Sequence, residues 1–207
     1  MDQRKIRTHD VDWETQYSHR RNVWEQKPHT YSVLASKRVR RGCILDIGCG
    51  EGYDCLYFAA KGYEVTGVDI SRTVIKRLRA EAKRQRLHVR GRVADITTAK
   101  PRGTYDIVVS YGVLHFLGAR FPAWMKELKA RTKPGGIHAL YVFGNEGDFY
   151  AIGKRQFYFP SIRQLRALYQ DWTIIKIEET WRPLLIRGDR GERLFNSMFK
   201  ILVQKPL

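Results

Sequence analysis

Polar residues and scattered aromatics dominate the first forty positions of this chain, and a different rhythm begins at residue 43. From there, short apolar runs alternate with longer stretches whose apolar residues recur every three or four positions. The runs CILDIG (43–48), EVTGVD (64–69), LHVRGRVAD (87–95) and YDIVVSYG (105–112) read as strands, the last rich in β-branched residues. A fifth strand, IHALYVFG, follows a KPGG turn at 133–136. Between them, helices are predicted over Tyr53–Ala60, stopped at Lys61-Gly62, and over Arg72–Arg86, capped by Ser71 with Val74, Ile75, Leu78 and Ala82 facing inward. A third covers Pro122–Ala130, with proline in its first turn. Strands alternating with helices predict a mostly parallel α/β sheet.

The tail breaks the alternation. SIRQLRALYQ (161–170) predicts an amphipathic helix capped by Ser161, WTIIKIEETW (172–181) a strand, RPLLIRGDRGER a loop, and LFNSMFKILVQK (194–205) a last strand. Two strands joined without a helix should pair antiparallel. The expected fold is a Rossmann-like, doubly wound sheet of seven strands with one antiparallel strand near an edge. In the N-terminal forty residues, Trp13, Tyr17, Arg20, Arg21 and Trp24 stand at helical spacing, so one helical face is aromatic. The expected organisation is one domain over 1–207, with 1–40 a helical lid segment and 41–207 the α/β core; 207 residues suffice for one sizeable core.

Charge adds a question about partners. Thirty-eight Lys and Arg stand against 21 Asp and Glu, a net +17, which fits attraction to nucleic acid, an acidic surface or an anionic substrate. On the helix RTVIKRLRAEAKRQR the charges lie mostly opposite Val74, Ile75 and Leu78, so a solvated outer face is favoured there over a nucleic-acid patch. Three cysteines, Cys43, Cys49 and Cys55, make neither a disulfide framework nor a zinc site, and no metal is expected. No apolar run is long enough to span a bilayer, and the basic N-terminus leads into no apolar h-region, so the expected location is cytoplasmic, without a membrane partner.

The candidate chemistry starts at ILDIGCGEGYD, residues 44–54. A strand running into a glycine loop and then a helix exposes backbone N–H groups at the helix start. A dinucleotide fingerprint needs glycine at position 53, where this chain has Tyr53. The pattern is D-x-G-x-G-x-G, with Asp46 ahead of Gly48, Gly50 and Gly52. A carboxylate there would repel a pyrophosphate and suits a ligand bearing an amine and a sulfonium. The second strand ends in Asp69, nineteen residues after Gly50, placed to accept hydrogen bonds from ribose hydroxyls. The next loop holds Asp95-Ile96, an acid for an adenine amino group and an apolar residue to cover the ring.

The ordered set ILDIGCGEG, VTGVDIS, GRVADIT, YDIVVSYGVLHFL and KPGG resembles the successive motifs of class I S-adenosylmethionine-dependent methyltransferases over roughly residues 40–145. That resemblance implies the strand order 3-2-1-4-5-7-6. It also implies S-adenosylmethionine contacts from Asp46, Gly48, Gly50, Asp69, Ile70, Asp95, Ile96 and the backbone of Ser110 and Tyr111. Cys49 within the loop, and Tyr17 and Trp24 from the aromatic face, complete the candidate cofactor set. The opening DWETQY, the length and the tail are similar to the tellurite-resistance and thiopurine methyltransferases. The tellurite-resistance group carries a His-Arg pair and a further Arg before the last strand; here Arg187, Arg190 and Arg193 supply arginines, and the histidine has no counterpart.

Methyl transfer from a sulfonium is an in-line displacement of an already activated carbon, so alignment and exclusion of water matter more than a strong base. The candidate catalytic residues are His115 and Tyr111 after the fourth strand, with Arg187 and Arg193 to hold an oxyanion. Each has a plainer alternative: a structural histidine between Leu114 and Phe116, core packing for Tyr111, and a solvated turn for the arginines. Phe149, Tyr150, Phe157, Tyr158 and Phe159 are candidates for a pocket wall, and Glu146 and Asp148 for bases or solvated loop charges. The leading function is a methyltransferase for a small acceptor, a soft or oxyanion nucleophile, acting as a monomer or homodimer. An RNA methyltransferase is the alternative suggested by charge, although SYGVLH lacks the Asn/Asp-Pro-Pro-aromatic pattern of enzymes that methylate base amino groups. A cofactor-binding protein without catalysis is the third reading, and a dehydrogenase the weakest.

Overall fold

A computed structural model describes residues 12–187 and 191–207. Seven strands form one sheet in the order β3-β2-β1-β4-β5-β7-β6. The strands are β1 (Cys43–Ile47), β2 (Glu64–Asp69), β3 (Val89–Val93), β4 (Tyr105–Tyr111), β5 (Thr132–Gly147), β6 (Thr173–Arg187) and β7 (Arg193–Gln204). All neighbours from β3 through β5 pair parallel, whereas β7 runs antiparallel to both β5 and β6. The direction of strand succession reverses between β1 and β4, so the carboxyl ends of these two strands open a crevice, the place where α/β sheets bind ligands.

Helices α1 (Trp13–His19), α2 (Thr30–Arg38), α3 (Tyr53–Ala60), α4 (Arg72–Arg84), α5 (Phe121–Ala130), α6 (Asp148–Gly153) and α7 (Ile162–Leu168) complete the fold with a 3-10 segment at Leu114–Arg120. Central strands are buried on both faces, which is why β1 and β4 are near-continuous apolar runs. On one face Tyr31, Ala35, Cys55, Phe58 and Leu78 of α2, α3 and α4 pack on Ile44, Ile107 and Ile137. On the other, Trp124, Met125, Leu128, Leu165 and Tyr169 pack on Leu45, Val108 and Leu140. The apolar stripe predicted for α4, Val74, Ile75, Leu78 and Ala82, is the buried one. No helix among the described residues is long and apolar enough to cross a membrane.

Three local expectations are corrected. KPGG is not a turn ahead of β5 but lies within it: Thr132 already pairs with Tyr105, and the register shifts before Ile107 meets Ile137. The loop predicted over 182–193 is largely ladder, since pairing continues through Pro183↔Phe195 to Arg187↔Arg193; Arg190 lies outside the described residues. The aromatic helix of the N-terminus ends at His19, with Arg20 extended and Asn22 at a left-handed φ of 58°. Trp24 therefore reaches Trp13 and Tyr17 because the chain doubles back, not because of helical spacing.

Candidate cofactor and acceptor site

The glycine loop is shaped by its protein neighbours. Gly48 and Cys49 both donate their N–H to the Val68 carbonyl, at 2.8 and 3.0 Å, tying the end of β1 to β2. Gly48 and Gly50 adopt left-handed φ of 67° and 50°. A Cβ at Gly48 would stand 2.3 Å from Val113, and one at Gly50 would stand 3.1 Å from the Tyr17 hydroxyl and 3.5 Å from Trp24. The Gly50 N–H donates to Asp69 Oδ2 at 2.9 Å, and the Ser71 N–H to Asp69 Oδ1 at 2.9 Å. Asp69 thus locks the loop to the start of α4. Burial raises its pKa against the opposing pull of those backbone donors. A carboxylate has about four lone-pair directions, so both oxygens retain capacity for a diol.

Ile70, next along, is 52 % exposed; it, Asp69 and Asp95 lie beside the glycine loop and are not among the residues lining the large cavity over the ends of β1 and β4. Asp95 accepts from the Thr97 N–H at 2.8 Å and the Thr97 hydroxyl at 2.7 Å through Oδ1. Ile96 is directed elsewhere: it is buried with Leu45, Ile47 and Trp124 in the core on the other face of the sheet. Ser110 is fully buried and its hydroxyl donates to the Ile47 carbonyl at 3.0 Å, closing β4 onto β1.

Asp46 is buried at the loop's base, where it accepts from the Cys55 thiol at 3.1 Å. Burial raises its pKa well above the carboxylate range, and Asp54 adds to the effect. A hydrogen bond with Cys55 pulls the Cys49 thiol down, but burial with Asp46 and Asp69 nearby leaves it at about 11, so it is no nucleophile at neutral pH.

The N-terminal segment covers the loop. Trp24 Nε1 donates to the Tyr17 hydroxyl at 2.8 Å, with the Trp13 ring 5.8 Å from Tyr17 and 6.3 Å from Trp24. Glu51, in the loop, accepts from the Asn22 N–H at 2.7 Å. Glu14 on α1 accepts from the Ser71 hydroxyl at 2.6 Å and from the Thr73 hydroxyl and N–H, so α1 is fastened to the start of α4.

From this cover a cavity of about 2170 Å³ extends over the ends of β1 and β4 toward β5, β6 and β7. Gly48, Gly50, Trp24 and Asp46 line one end; Tyr111 and Tyr141 stand in the middle; Phe143, Phe149, Phe157 and His115 form the far wall. His115 is enclosed by Phe116, Phe143, Phe149 and Phe157 at ring distances of 4.0 to 5.5 Å. Burial drives its pKa down to about 3, and Nδ1 has no hydrogen-bond partner among the described residues. Burial thus favours the neutral imidazole, whose Nδ1 is a hydrogen-bonding group facing apolar rings. Tyr111 has its hydroxyl 2.6 Å from Ser32 Oγ, and burial raises its pKa. Arg187 lines the cavity with Lys154, Arg155, Lys176, Arg182 and Lys200, whereas Arg193 lies over the Phe195 ring at 5.9 Å and is not among the lining residues. Asp148 is a clamp, accepting from the Phe195 N–H at 2.8 Å, while Glu146 is exposed. Tyr150 lies at the edge of the phenylalanine cluster, and Tyr158 stacks on Phe121 at 4.5 Å.

Sequence reasoning missed two lining residues. His29 caps α2, and its Nδ1 is 2.7 Å from Asp54 Oδ2 while its N–H donates to Asp54 Oδ1 at 2.9 Å. The ring stacks on Tyr111 with centroids 3.8 Å apart. The available signal was a histidine immediately before a helix, which is indistinguishable from a cap until the chain folds over the glycine loop.

Sheet order, switch-point crevice and glycine loop together define the class I fold of S-adenosylmethionine-dependent methyltransferases. Within it, residues 11–202 match the model of the tellurite resistance protein TehB family, to which the chain belongs. A "Probable S-adenosyl-L-methionine-dependent methyltransferase TehB" of Haemophilus influenzae is 28 % identical over 178 residues, 86 % of this chain and 62 % of that protein. "Hemagglutinin 1" of Eikenella corrodens is 29 % identical over 163 residues, 78 % of this chain and 54 % of that one. The crystal structure of TehB from Haemophilus influenzae superposes with a TM-score of 0.75 at 25 % identity, covering 93 % of this chain and 66 % of that one. The chain thus spans 54 % and 62 % of the length of these two curated relatives.

Proposed function

We propose that this protein is an S-adenosylmethionine-dependent methyltransferase that delivers the methyl group by in-line displacement to a small acceptor. One observation carries the reading: a single cavity runs from the glycine loop, over Tyr111, into a chamber with phenylalanine walls and a cationic side. The residues present suit the donor. Asp69 has acceptor capacity for the ribose diol and Ile70 an exposed apolar face for the adenine. The buried Asp46 gains a counter-charge from a bound amine or sulfonium. When bound, the donor supplies an electrophilic methyl carbon. The chain's own contribution is alignment over Tyr111 and exclusion of water by the cover of Trp13, Tyr17 and Trp24, which acts as a lid.

The acceptor chamber supports a small substrate. Lys176, Arg182, Arg187 and Lys200 favour one that is anionic or becomes so on reaction, and His115 offers one neutral hydrogen-bonding nitrogen among apolar rings. Soft or oxyanionic nucleophiles fit this lining. Titration calorimetry with S-adenosylmethionine and S-adenosylhomocysteine, followed by product detection with a panel of thiols, phenols, tellurite and selenite, tests the proposal. Saturable binding with release of S-adenosylhomocysteine and a methylated product is expected. Absence of binding to either nucleoside would overturn it.

A further inference from the structure

We propose that His29, oriented by Asp54, accepts the proton of the methyl acceptor, so that the acceptor enters as a proton-bearing nucleophile: a thiol, a phenol or an N–H heterocycle. The inference rests on the methyltransferase reading and narrows its substrate class. It stands on the position and wiring of the imidazole. His29 lies between the two halves of the cavity. Asp54 beside it belongs to the helix that follows the glycine loop, and Tyr111 beneath it, at 3.8 Å, ends β4 on the acceptor side. Both His29 and Asp54 line the cavity.

The wiring sets the tautomer. Asp54 is buried, and its Oδ1 already receives the His29 backbone N–H at 2.9 Å, which fixes the carboxylate. Its Oδ2, 2.7 Å from Nδ1, takes the ring N–H. The neutral imidazole then carries its lone pair on Nε2, which has no hydrogen-bond partner among the described residues. The stack on Tyr111 and the edge contact with Tyr141 at 5.4 Å hold the ring plane. A carboxylate orienting an imidazole that lines the cavity, with its other nitrogen unpartnered among the described residues, is the arrangement of a general base.

Several other titratable groups at the cavity are committed elsewhere. His115 lies in the phenylalanine cluster, where burial depresses its basicity. Tyr111 bonds Ser32, Asp148 bonds the Phe195 N–H, and Glu178 accepts from the Tyr31 hydroxyl. The charged and titratable groups around His29 are Asp54 on α3, with Asp46 of β1 beside Asp54, and Glu25 with its partner Lys27 on the preceding segment. Tyr111, Tyr141, Arg182 and Lys200 complete the set from β4 to β7.

In the step, the acceptor's proton passes to His29 Nε2 as the electron pair it leaves forms the bond to the donated methyl carbon. The methyl–sulfur bond breaks with its pair to sulfur. The imidazolium, paired with Asp54, then returns the proton to water.

The test uses the whole chain with the variants His29→Gln and Asp54→Asn. Nitrogen-15 NMR of the free protein should find His29 as the Nδ1–H tautomer, and Asp54→Asn should shift it; an Nε2–H tautomer in the unaltered protein overturns the proposal. Affinity for S-adenosylhomocysteine should change little in His29→Gln, while turnover of an aryl thiol falls about 100-fold or more in both variants. The pH–rate profile of the unaltered enzyme should rise from the acid side. His29→Gln should lose that limb and regain rate only where the thiol ionises unaided. Turnover and profile unchanged in His29→Gln would overturn the proposal, as would a rate that falls with rising pH, the sign of a cationic anchor. Saturable cofactor binding with no turnover of thiols, phenols or N–H heterocycles would also overturn it. Failure to bind the cofactor at all would instead remove the methyltransferase reading beneath it.

Discussion

Asp46 shows at the level of one residue how this site holds free energy in reserve. Its carboxyl is buried, bonded by a thiol and faced by Asp54, so its pKa is raised on folding. The folded state therefore binds the proton more readily, and stability falls as pH rises from the unfolded value near 3.8 through the raised one. Asp46→Asn, which mimics the protonated form, should raise the melting temperature of the free protein at pH 7, with the gain shrinking as pH approaches 4. The same change should weaken S-adenosylmethionine binding, because the counter-charge for a cation is gone. A lower melting temperature at pH 7 would count against this account. Gly50 makes the opposite point: its left-handed φ strains any other residue, and an added methyl group, 3.1 Å from the Tyr17 hydroxyl, would require that side chain to shift. Gly50→Ala should weaken binding of S-adenosylhomocysteine about tenfold or more, by displacing Tyr17 and Trp24, measured by calorimetry. Residues of this kind were legible in the sequence because their order along the strands is itself the signal. His29 was not, since its partner Asp54 stands 25 positions away and only the folded chain brings them within 2.7 Å.

Among the elements, the N-terminal segment matters most to function. Among the described residues 13–28, each hydrogen bond to the core uses a side chain on at least one side: Glu14 with Ser71 and Thr73, Glu51 with the Asn22 and Trp24 N–H, Tyr53 with Asn22, and Arg77 with the Arg20 carbonyl. Such an attachment is poised to open, because its hydrogen bonds exchange readily with water. Glu14→Ala should speed hydrogen exchange over residues 13–28 and weaken cofactor affinity a few-fold while leaving exchange in β1 and β4 unchanged; equal exchange in this segment would contradict the lid. The sheet was readable element by element because strands buried on both faces are short continuous apolar runs, whereas the helices between them repeat apolar residues every three or four positions. Two features escaped for definite reasons. Trp24 mimics helical spacing although α1 has already ended at His19, and the short apolar segment RPLLIR (182–187), set between Pro183 and the glycines of RGDRGE, reads as a loop although it continues the pairing with β7.

For the whole molecule, pH couples stability to buried histidines. His115 and His138 are both pushed down to about 3, His115 by burial alone and His138 by burial with Lys129 and Lys205 nearby. Depressed histidine pKa values mean that the unfolded chain takes up more protons below about pH 6.5, so the contribution of these two sites to stability is full above that value and is lost as pH falls toward 3, opposite in sign to that of Asp46. Urea unfolding should give a lower midpoint at pH 5 than at pH 7.5, with part of the loss removed by His138→Gln; a flat profile would show that these sites bury no imidazole. The net charge of +17 does not decide the function by itself, but part of it lines the acceptor chamber, and Arg182→Ala with Lys200→Ala should raise KM for an anionic acceptor more than for a neutral one. The central claim is that the crevice over β1 and β4 seats S-adenosylmethionine through Asp69. Its most direct test is calorimetric titration of S-adenosylhomocysteine into the unaltered protein and into Asp69→Ala. The account predicts saturable one-to-one binding that the substitution weakens by about 100-fold, the loss of charge-assisted hydrogen bonds. Undiminished affinity in Asp69→Ala, or no binding to either protein, would contradict it.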